Sequence, residues 1–222
     1  IANNIIYNAC TNAFKLSNAG NSEIIPLTQL AAYNNTIVNC GWRRAKNKKG
    51  GSIWLEKAIA PTFVNNLVYD CRFGLKQPKK DGADLEHSTI APNYYFASTE
   101  TGVKQMSKDA DMIIWNDNDI KSNVAGQFNP LFRNFKQSDV MNINCEIDNV
   151  QKGAPLPFDR SWNFNFQQGS QALSNGVTNF QRIFPNGLAF FGMKKVMFLN
   201  NSNDQNYYFT APTPTTQFGA AL

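Results

Sequence analysis

The sequence predicts an all-β solenoid in which successive coils of the chain stack in parallel, and three observations lead to this prediction. A motif that reads NNLVYDC at positions 65–71 occurs also as NNTIVNC at 34–40 and as NNIIYNAC at 3–10. Its second Asn stands at positions 4, 35 and 66, and again in an eroded copy at 93, so the steps are 31, 31 and 27 residues. Each copy is rich in β-branched and aromatic residues between turn-forming ones. Repeats of this length indicate stacked supersecondary units.

Equivalent residues in a stack of parallel β-coils lie about 4.8 Å apart, so like residues form columns. Stacked Asn amides can donate to and accept from one another while they satisfy the backbone of a turn. A column of aliphatic side chains supplies the core. The sequence predicts three columns: Asn4, Asn35, Asn66 and Asn93 at an inward bend; Ile6, Ile37, Val68 and Tyr95 in the core; and Cys10, Cys40, Cys71 and Ser98.

With these Asn ladders and aliphatic stacks the chain resembles the right-handed parallel β-helix family, also called pectin-lyase-like. The resemblance implies one all-β domain over residues 1–222, with regular coils over 1–120 and less regular coils and a closing segment over 121–222. Ile1 and Ala2 align with the middle of later coils, at Ala32 and Tyr33. We therefore expect the parent protein to contain earlier coils and an N-terminal cap.

Further strands are predicted in each coil. Phe14 and Leu16 mark a second strand in the first coil, and residues 52–55 mark the corresponding strand in the second. From about residue 101 the repeat is hard to follow, and Met112-Ile113-Ile114-Trp115 reads as a strand followed by a loop.

The C-terminal half carries a second resemblance. Asn129-Pro130-Leu131-Phe132, a Gly169-Ser170-Gln171-Ala172 turn, Phe190-Phe191-Gly192 and Phe218-Gly219-Ala220 resemble the closing portion of secreted or surface β-helix proteins common in Bacteroidota. Asn129 and Gln171 depart from the usual Asp and Pro, and a long insertion separates the first two motifs. The resemblance implies a secreted or outer-surface protein and names no activity.

Composition limits the partners. The chain of 222 residues is 42% hydrophobic and 17% charged, which allows a substantial core. No run of 18 apolar residues exists, so we expect no transmembrane segment. The net charge of +5 is modest; it permits an acidic partner without requiring one, and we expect no nucleic-acid partner.

The cysteines and acidic residues leave few cofactors open. Three of the four cysteines fall at one position of the repeat, which favours free buried thiols, although adjacent coils lie within disulfide reach. One His and no Cys-x-x-Cys pair argue against a structural zinc site. Asp117-Asn118-Asp119 offers oxygen ligands that suit a calcium ion. The other EF-hand positions are missing, however, so an ordinary acidic turn is favoured.

Two basic loops suggest a ligand site. Lys48 and Lys49 follow Cys40 by eight and nine residues, and Lys79 and Lys80 follow Cys71 by the same offsets. Loops at equal offsets emerge on one side of a stack, which predicts a basic ridge. The alternatives are that the lysines are only solvated and that the neighbouring aromatics belong to the core. The predicted ligand-binding residues are Trp42, Arg43, Arg44, Lys46, Lys48, Lys49, Phe73, Lys76, Lys79 and Lys80.

Three classes of function remain. The favoured one is a non-catalytic secreted or cell-surface protein that binds a polysaccharide, acidic in kind, along the ridge. A lyase acting on uronates is the first alternative, because an Arg or Lys could neutralise the carboxylate and another could act as base. A structural subunit that docks other surface proteins is the second. His87, the only histidine, is expected in a surface turn because no nucleophile elbow accompanies it.

Overall fold

The structure is a computed structural model that describes residues 1–9, 11–18, 29–42, 52–135, 158–181 and 212–220. Strands dominate these residues, and one α-helix, α1 (Glu100–Met106), interrupts them. Two short 3-10 turns lie at Ala110–Met112 and Gln171–Leu173. The strands are β1 (Ile5–Tyr7), β2 (Phe14–Ser17), β3 (Gln29–Tyr33), β4 (Thr36–Val38), β5 (Ile53–Glu56), β6 (Ala60–Val64), β7 (Leu67–Tyr69), β8 (Leu75–Lys76), β9 (Thr89–Ile90), β10 (Tyr94–Phe96), β11 (Ile120–Lys121), β12 (Phe132–Asn134) and β13 (Asn163–Phe166).

Successive repeats contribute one strand to each of three parallel sheets. The strand orders are β1-β4-β7-β10-β11 in the first sheet, β2-β5-β8 in the second and β3-β6-β9 in the third. All pairs within these sheets are parallel, whereas β12 and β13 form an antiparallel pair. The structure therefore confirms a mostly β chain whose repeats pair in parallel.

The register places the predicted columns in line. Ile6 pairs with Ile37, Ile37 with Val68 and Val68 with Tyr95. These side chains belong to one buried cluster that also takes in the inward residues of the other two sheets, among them Leu55 and Phe63. The core thus lies between the three sheets.

The Asn column is held by the same bonds at each step. Asn4, Asn35 and Asn66 each donate a backbone N–H and a side-chain Nδ2 to the Oδ1 of the next Asn, at 2.9–3.1 Å. The Nδ2 of each Asn also donates to the carbonyl two residues before it, as Asn66 does to Val64 at 3.1 Å. Asn35, Asn66 and Asn93 are fully buried, so these bonds replace water that the amides would otherwise need.

Left-handed backbone turns flank the strands of the first sheet. Asn34 and Asn39 have φ of +50° and +55° on either side of β4, and Asn65 and Asp70 have +55° and +48° around β7. Asn and Asp tolerate this conformation better than other residues with a side chain, because their polar groups bond locally. This explains the first and sixth positions of the motif.

The C-terminal segments pack on the outer face of the first sheet. Phe132, Phe166 and Phe218 are buried there against outward residues of β7 and β10. Asn65 ties this cover to the repeat, since its Nδ2 donates to Val177 O at 2.5 Å and to Thr215 O at 2.9 Å. The described C-terminal residues are therefore bound by the same Asn motif that recurs in the repeats.

The structure differs from the sequence predictions at residues 112–115, at helix α1 and in the column that was expected to contain Cys10. Residues 112–115 do not form a strand: Met112 ends a 3-10 turn and Ile113 makes one isolated antiparallel bridge with Lys76, while Trp115 packs edge-on against Tyr95. Helix α1 was not predicted. The hydrogen bonds between repeats place Ala9, and not Cys10, opposite Cys40. Gly41 N donates to Ala9 O in the same way that Arg72 N donates to Cys40 O one repeat further along the chain. Cys10 itself lies outside the described residues.

Within the described part of the chain, Cys40 and Cys71 are free and buried. Their sulfurs lie 3.3 Å from Val38 O and 3.5 Å from Tyr69 O, within hydrogen-bonding distance. Burial raises the pKa of the Cys71 thiol well above its usual range. The thiols therefore fit the expected role of small core residues.

None of the helices described here combines the length and apolar character needed to cross a membrane.

Candidate functional site

The predicted basic ridge falls on the second sheet and the loop that follows it. Lys76 is the last residue of β8, and Lys79 and Lys80 lie in the turn after it. In this sheet Lys15, Trp54 and Lys76 are aligned across the three strands. Five of the predicted residues lie outside the described chain: Arg43, Arg44, Lys46, Lys48 and Lys49.

Lys76 is not part of an exposed ridge. Its side chain has no exposed surface, and its Nζ lies 3.0 Å from Asp109 Oδ2. The same Nζ lies 3.6 Å from the centre of the Phe73 ring. Burial lowers the pKa of Lys76, and the Asp109 carboxylate opposes this shift. The prediction that Lys76 contacts ligand is therefore corrected: the ammonium is satisfied inside the protein.

The aromatic column predicted beside the ridge is also internal. Trp42 and Phe73 are each 1% exposed, and the Trp42 Nε1 donates to Asp70 O at 2.7 Å. The guanidinium carbon of the buried Arg72 lies 5.0 Å from the Phe73 ring centre. Because the rings are enclosed, they cannot stack on a sugar, and Phe73 instead contacts two cations. The core alternative for these aromatics is the one that the structure supports.

Lys79 and Lys80 do face solvent, as predicted. Lys79 pairs with the exposed Asp111, and this carboxylate raises the pKa of Lys79. The preceding turn of the chain lies against this loop, because Lys57 N donates to Asp81 O at 2.6 Å and Ala58 N to Gly82 O at 2.7 Å. Lys57 is exposed too. We call Lys57, Lys79 and Lys80 the lysine edge.

The residues that flank the undescribed basic stretch are bound to the coil that carries the lysine edge. Trp42 bonds Asp70 O, as described above, and the Ser52 hydroxyl donates to Phe73 O at 2.6 Å. Both flanking residues are buried. The described residues on either side of positions 43–51 are thus both bound to the backbone of residues 70–73.

An aromatic patch, formed by Tyr7, Phe135, Phe158 and Trp162, was missed by sequence reasoning. Tyr7 and Trp162 rings are 5.1 Å apart, and Phe135 and Trp162 rings are also 5.1 Å apart. Phe158 is 66% exposed, while the other three are partly buried. These residues are far apart in the chain and follow no period, so no pattern in the sequence points to the patch.

Two buried carboxyls occupy repeat positions. Asp119 lies fifth in the Asn column: its Oδ1 accepts from Asn93 N and its Oδ2 from Asn116 N, both at 2.8 Å. Burial raises the pKa of Asp119 to about 6. Because both oxygens bind backbone amides, this carboxylate ends the described ladder. No group of three His, Cys, Asp or Glu suited to a metal occurs in the described part of the chain.

Asp70 aligns with Asn39 and Asn8 in a second polar column. Its Oδ1 accepts from Ser98 N at 2.6 Å, and its Oδ2 is buried without a hydrogen-bond partner among the described residues. Burial raises the pKa of Asp70 to about 7, against the opposing effect of the Ser98 bonds. The carboxyl carries a proton over much of the range in which a surface Asp is ionised.

His87 lies in an exposed turn, in agreement with the expectation. Its Nδ1 lies 2.8 Å from Asp84 Oδ2, and Asp84 raises the pKa of His87. The Asp84 carboxylate also holds the backbone of the turn, since His87 N donates to Asp84 Oδ1 at 3.2 Å.

A scan against protein-family models found no match to this chain, and searches of curated proteins and of solved structures found none either.

Proposed function

We propose that the chain is a right-handed parallel β-helix domain of the pectin-lyase-like kind that binds an acidic polysaccharide without cleaving it. The support for the fold is the delivery of one strand per repeat to each of three parallel sheets, with an Asn ladder at one bend. The compartment that suits this proposal is the cell exterior or the outer surface, of a bacterium of the Bacteroidota type. That part rests on the sequence resemblance alone.

The observation that carries the proposal is that the residues on both sides of the basic stretch bind the repeat that carries the lysine edge. Trp42 and Ser52 bind the coil from which Lys79 and Lys80 extend. The proposal therefore takes the cations of residues 43–49 to act on the same face as the lysine edge. Charges within about one Debye length, roughly 10 Å at 0.1 M salt, act together on a polyanion.

The local charge balance favours a polyanion over a single small anion. Asp111 neutralises part of the field of Lys79, whereas Lys57 and Lys80 form no ion pair with a described residue and are solvent-exposed. A row of separated, weakly held cations matches the regular spacing of carboxylates along a uronate polymer better than it matches one phosphate. Affinity should then fall with added salt.

The non-catalytic proposal is preferred to the lyase because of where the best-placed cations lie. Arg72 and Lys76 are fully buried, and Lys76 is already paired with Asp109. Neither can reach a uronate carboxylate or its C5 proton as a lyase requires. Arg43, Arg44 and Lys46, the other cations considered for a lyase, lie outside the described residues. Release of unsaturated uronate is therefore measured along with binding.

The test is binding to immobilised polygalacturonate, with a neutral glucan as comparison. The variant replaces Lys48, Lys49, Lys79 and Lys80 by Ser. A matched control replaces the exposed Lys104 and Arg160 by Ser, which removes charge from helix α1 and from the turn before β13. Circular dichroism melts check that each variant is folded.

We expect the protein to bind polygalacturonate better than the glucan, and to bind it less well at higher salt. The four-lysine variant should bind polygalacturonate at least tenfold more weakly, because the loss of several charge contacts weakens binding to a polyanion by this order or more. The control variant should retain most of the affinity. Equal binding of the neutral glucan, or unchanged binding by the four-lysine variant, rejects the proposal. Release of unsaturated uronate would replace it by the lyase.

A further inference from the structure

One end of the sheets presents two edge strands together. β1 and β2 stand first in their sheets and have a strand neighbour on one side only. β3 also stands first in its sheet, but Ile1 and Ala2 cover part of its other side, because Ile1 N donates to Ala31 O at 2.7 Å, Tyr33 N donates to Ile1 O at 3.1 Å and Ala2 forms a parallel bridge with Tyr33. The backbone groups on the other side of β1 and β2 face away from the repeats described here. An edge of this kind can pair with another strand.

The Asn ladder is incomplete at the same end. Asn35, Asn66 and Asn93 each accept two N–H bonds at Oδ1 from the preceding Asn. Asn4 donates to Asn35 in the same way, but its own Oδ1 receives no bond from any described residue, and its side chain is exposed. The ladder thus ends here in a free acceptor.

The apolar core is open there too. Ile6, Leu16 and Leu30 pack against the core but are only partly buried. Their counterparts one coil further on are enclosed, with Ile37 and Leu55 at 0% exposure. A layer that completed the end would bury these three side chains, and burial of apolar surface favours such docking.

We infer that this end is a docking face for one further coil of the same Asn repeat, running parallel to β1. Its ladder Asn would donate a backbone N–H and Nδ2 to Asn4 Oδ1, and its inward aliphatic would lie over Ile6. The inference rests on continuity, because the three junctions from Asn4 to Asn35, Asn35 to Asn66 and Asn66 to Asn93 all use this set of bonds and contacts. It is independent of the proposed glycan ligand.

The chemistry argues against a second copy of this chain as the occupant. Two copies joined through this end by a two-fold axis would bring two Asn4 Oδ1 acceptors together. Head-to-tail stacking would place Asp119 over Asn4, and a carboxylate offers no side-chain N–H. The backbone N–H of Asp119 is also taken, since it donates to Asn116 O at 3.0 Å.

The experiment fuses a copy of residues 32–62 directly ahead of Ile1, which places a copied Asn35 in line with Asn4. A control fusion carries Asn35→Ala and Ile37→Asp within the copied coil only. Hydrogen exchange of the β1 amides is measured in the unextended chain and in both fusions. Sedimentation of the unextended chain reports self-association.

The intact fusion should slow exchange of the β1 amides by about tenfold or more and raise the melting temperature, whereas the control fusion should do neither. Asn4→Ala should destabilise the intact fusion far more than the unextended chain. A copied coil that stays unprotected, or equal protection by the control fusion, overturns the inference. So does a dimer of the unextended chain whose β1 amides become protected as concentration rises.

Discussion

Asn35 lies directly over Asn66, and both its backbone N–H and its Nδ2 donate to the Oδ1 of Asn66, at 3.1 and 2.9 Å. The two residues are 31 positions apart in the chain and both are fully buried. One acceptor atom therefore joins consecutive coils at a bend from which water is excluded. The predictions below follow from this relationship and from the columns beside it.

Asn66→Ala should destabilise the protein by about 1–3 kcal/mol, since several buried backbone groups lose their partners. These include Asn35 N, Ala32 O and Val64 O. Asn4→Ala, at the exposed end of the ladder, is the matched control and should cost clearly less. Urea unfolding of the two variants checks the order, and equal losses would show that burial of the ladder contributes little.

Val68→Ala should cost about 2 kcal/mol or more through lost burial and the cavity left behind. Val68 is fully enclosed between Ile37 and Tyr95 in its column. Ile6→Ala removes more atoms from a site that is only partly buried, yet it should cost less in the unextended chain. Thermal melts that rank Ile6 above Val68 would contradict the assignment of the open end.

Lys76→Ala should destabilise the fold more than Lys79→Ala does. Removal of Lys76 leaves the mostly buried Asp109 carboxylate without its ion-pair partner and removes one of the two cations at the Phe73 ring. Lys79 pairs with Asp111 at the surface, where both side chains are more than half exposed, so its loss should hardly move the melting temperature. Thermal melts of the two variants in the same buffer measure this difference. A large effect at Lys79 would mean that the ridge is structural.

Stability should fall as pH rises from about 4 to about 7. Burial raises the folded-state pKa of Asp70 from 3.8 to about 7. In that window the folded state holds a proton that the unfolded state has released, so each pH unit lowers stability by up to about 1.4 kcal/mol. Asp119, with a pKa raised to about 6, acts in the same direction over a narrower window.

Asp70→Asn should flatten this pH profile and make the protein more stable than the unmodified chain at pH 8, since an amide has no charge to bury. It also extends the column of Asn8 and Asn39. Melting temperatures measured at each pH unit across the window test the effect, with Asp159→Asn, an exposed carboxylate of lowered pKa, as the control. If the melting temperature of Asp70→Asn falls with pH as steeply as that of the unmodified chain, another group causes the pH dependence.

The periodic part of this protein could be predicted from the sequence for a physical reason. Parallel stacking brings residues 31 positions apart into contact, so the Asn and aliphatic columns require like residues at equal intervals. The spacing of the repeat therefore predicts which residues pair between the strands of the first sheet. It also located β2 and β5 through the apolar residues that each coil repeats.

The exposure and contacts of the predicted site residues depend on the tertiary structure. A lysine in a loop reads as solvated, but Lys76 is enclosed because Asp109, which comes from the turn after α1, supplies a countercharge. Trp42 and Phe73 share an offset that an exposed aromatic column would also show, and only the packing of the next coil decides that they are internal. The same holds for Asp119, whose place in the ladder is hidden by the change from Asn to Asp.

The repeat, the parallel pairing of its strands and the identity of the columns are thus encoded in the sequence, since each follows from residues that recur at equal intervals. The exposure of each cation, the grouping of aromatics into a patch and the last contact of the ladder depend on the packing of the folded chain. Those properties arise from single contacts between segments that share no period, such as Tyr7 with Trp162 and Asn93 with Asp119.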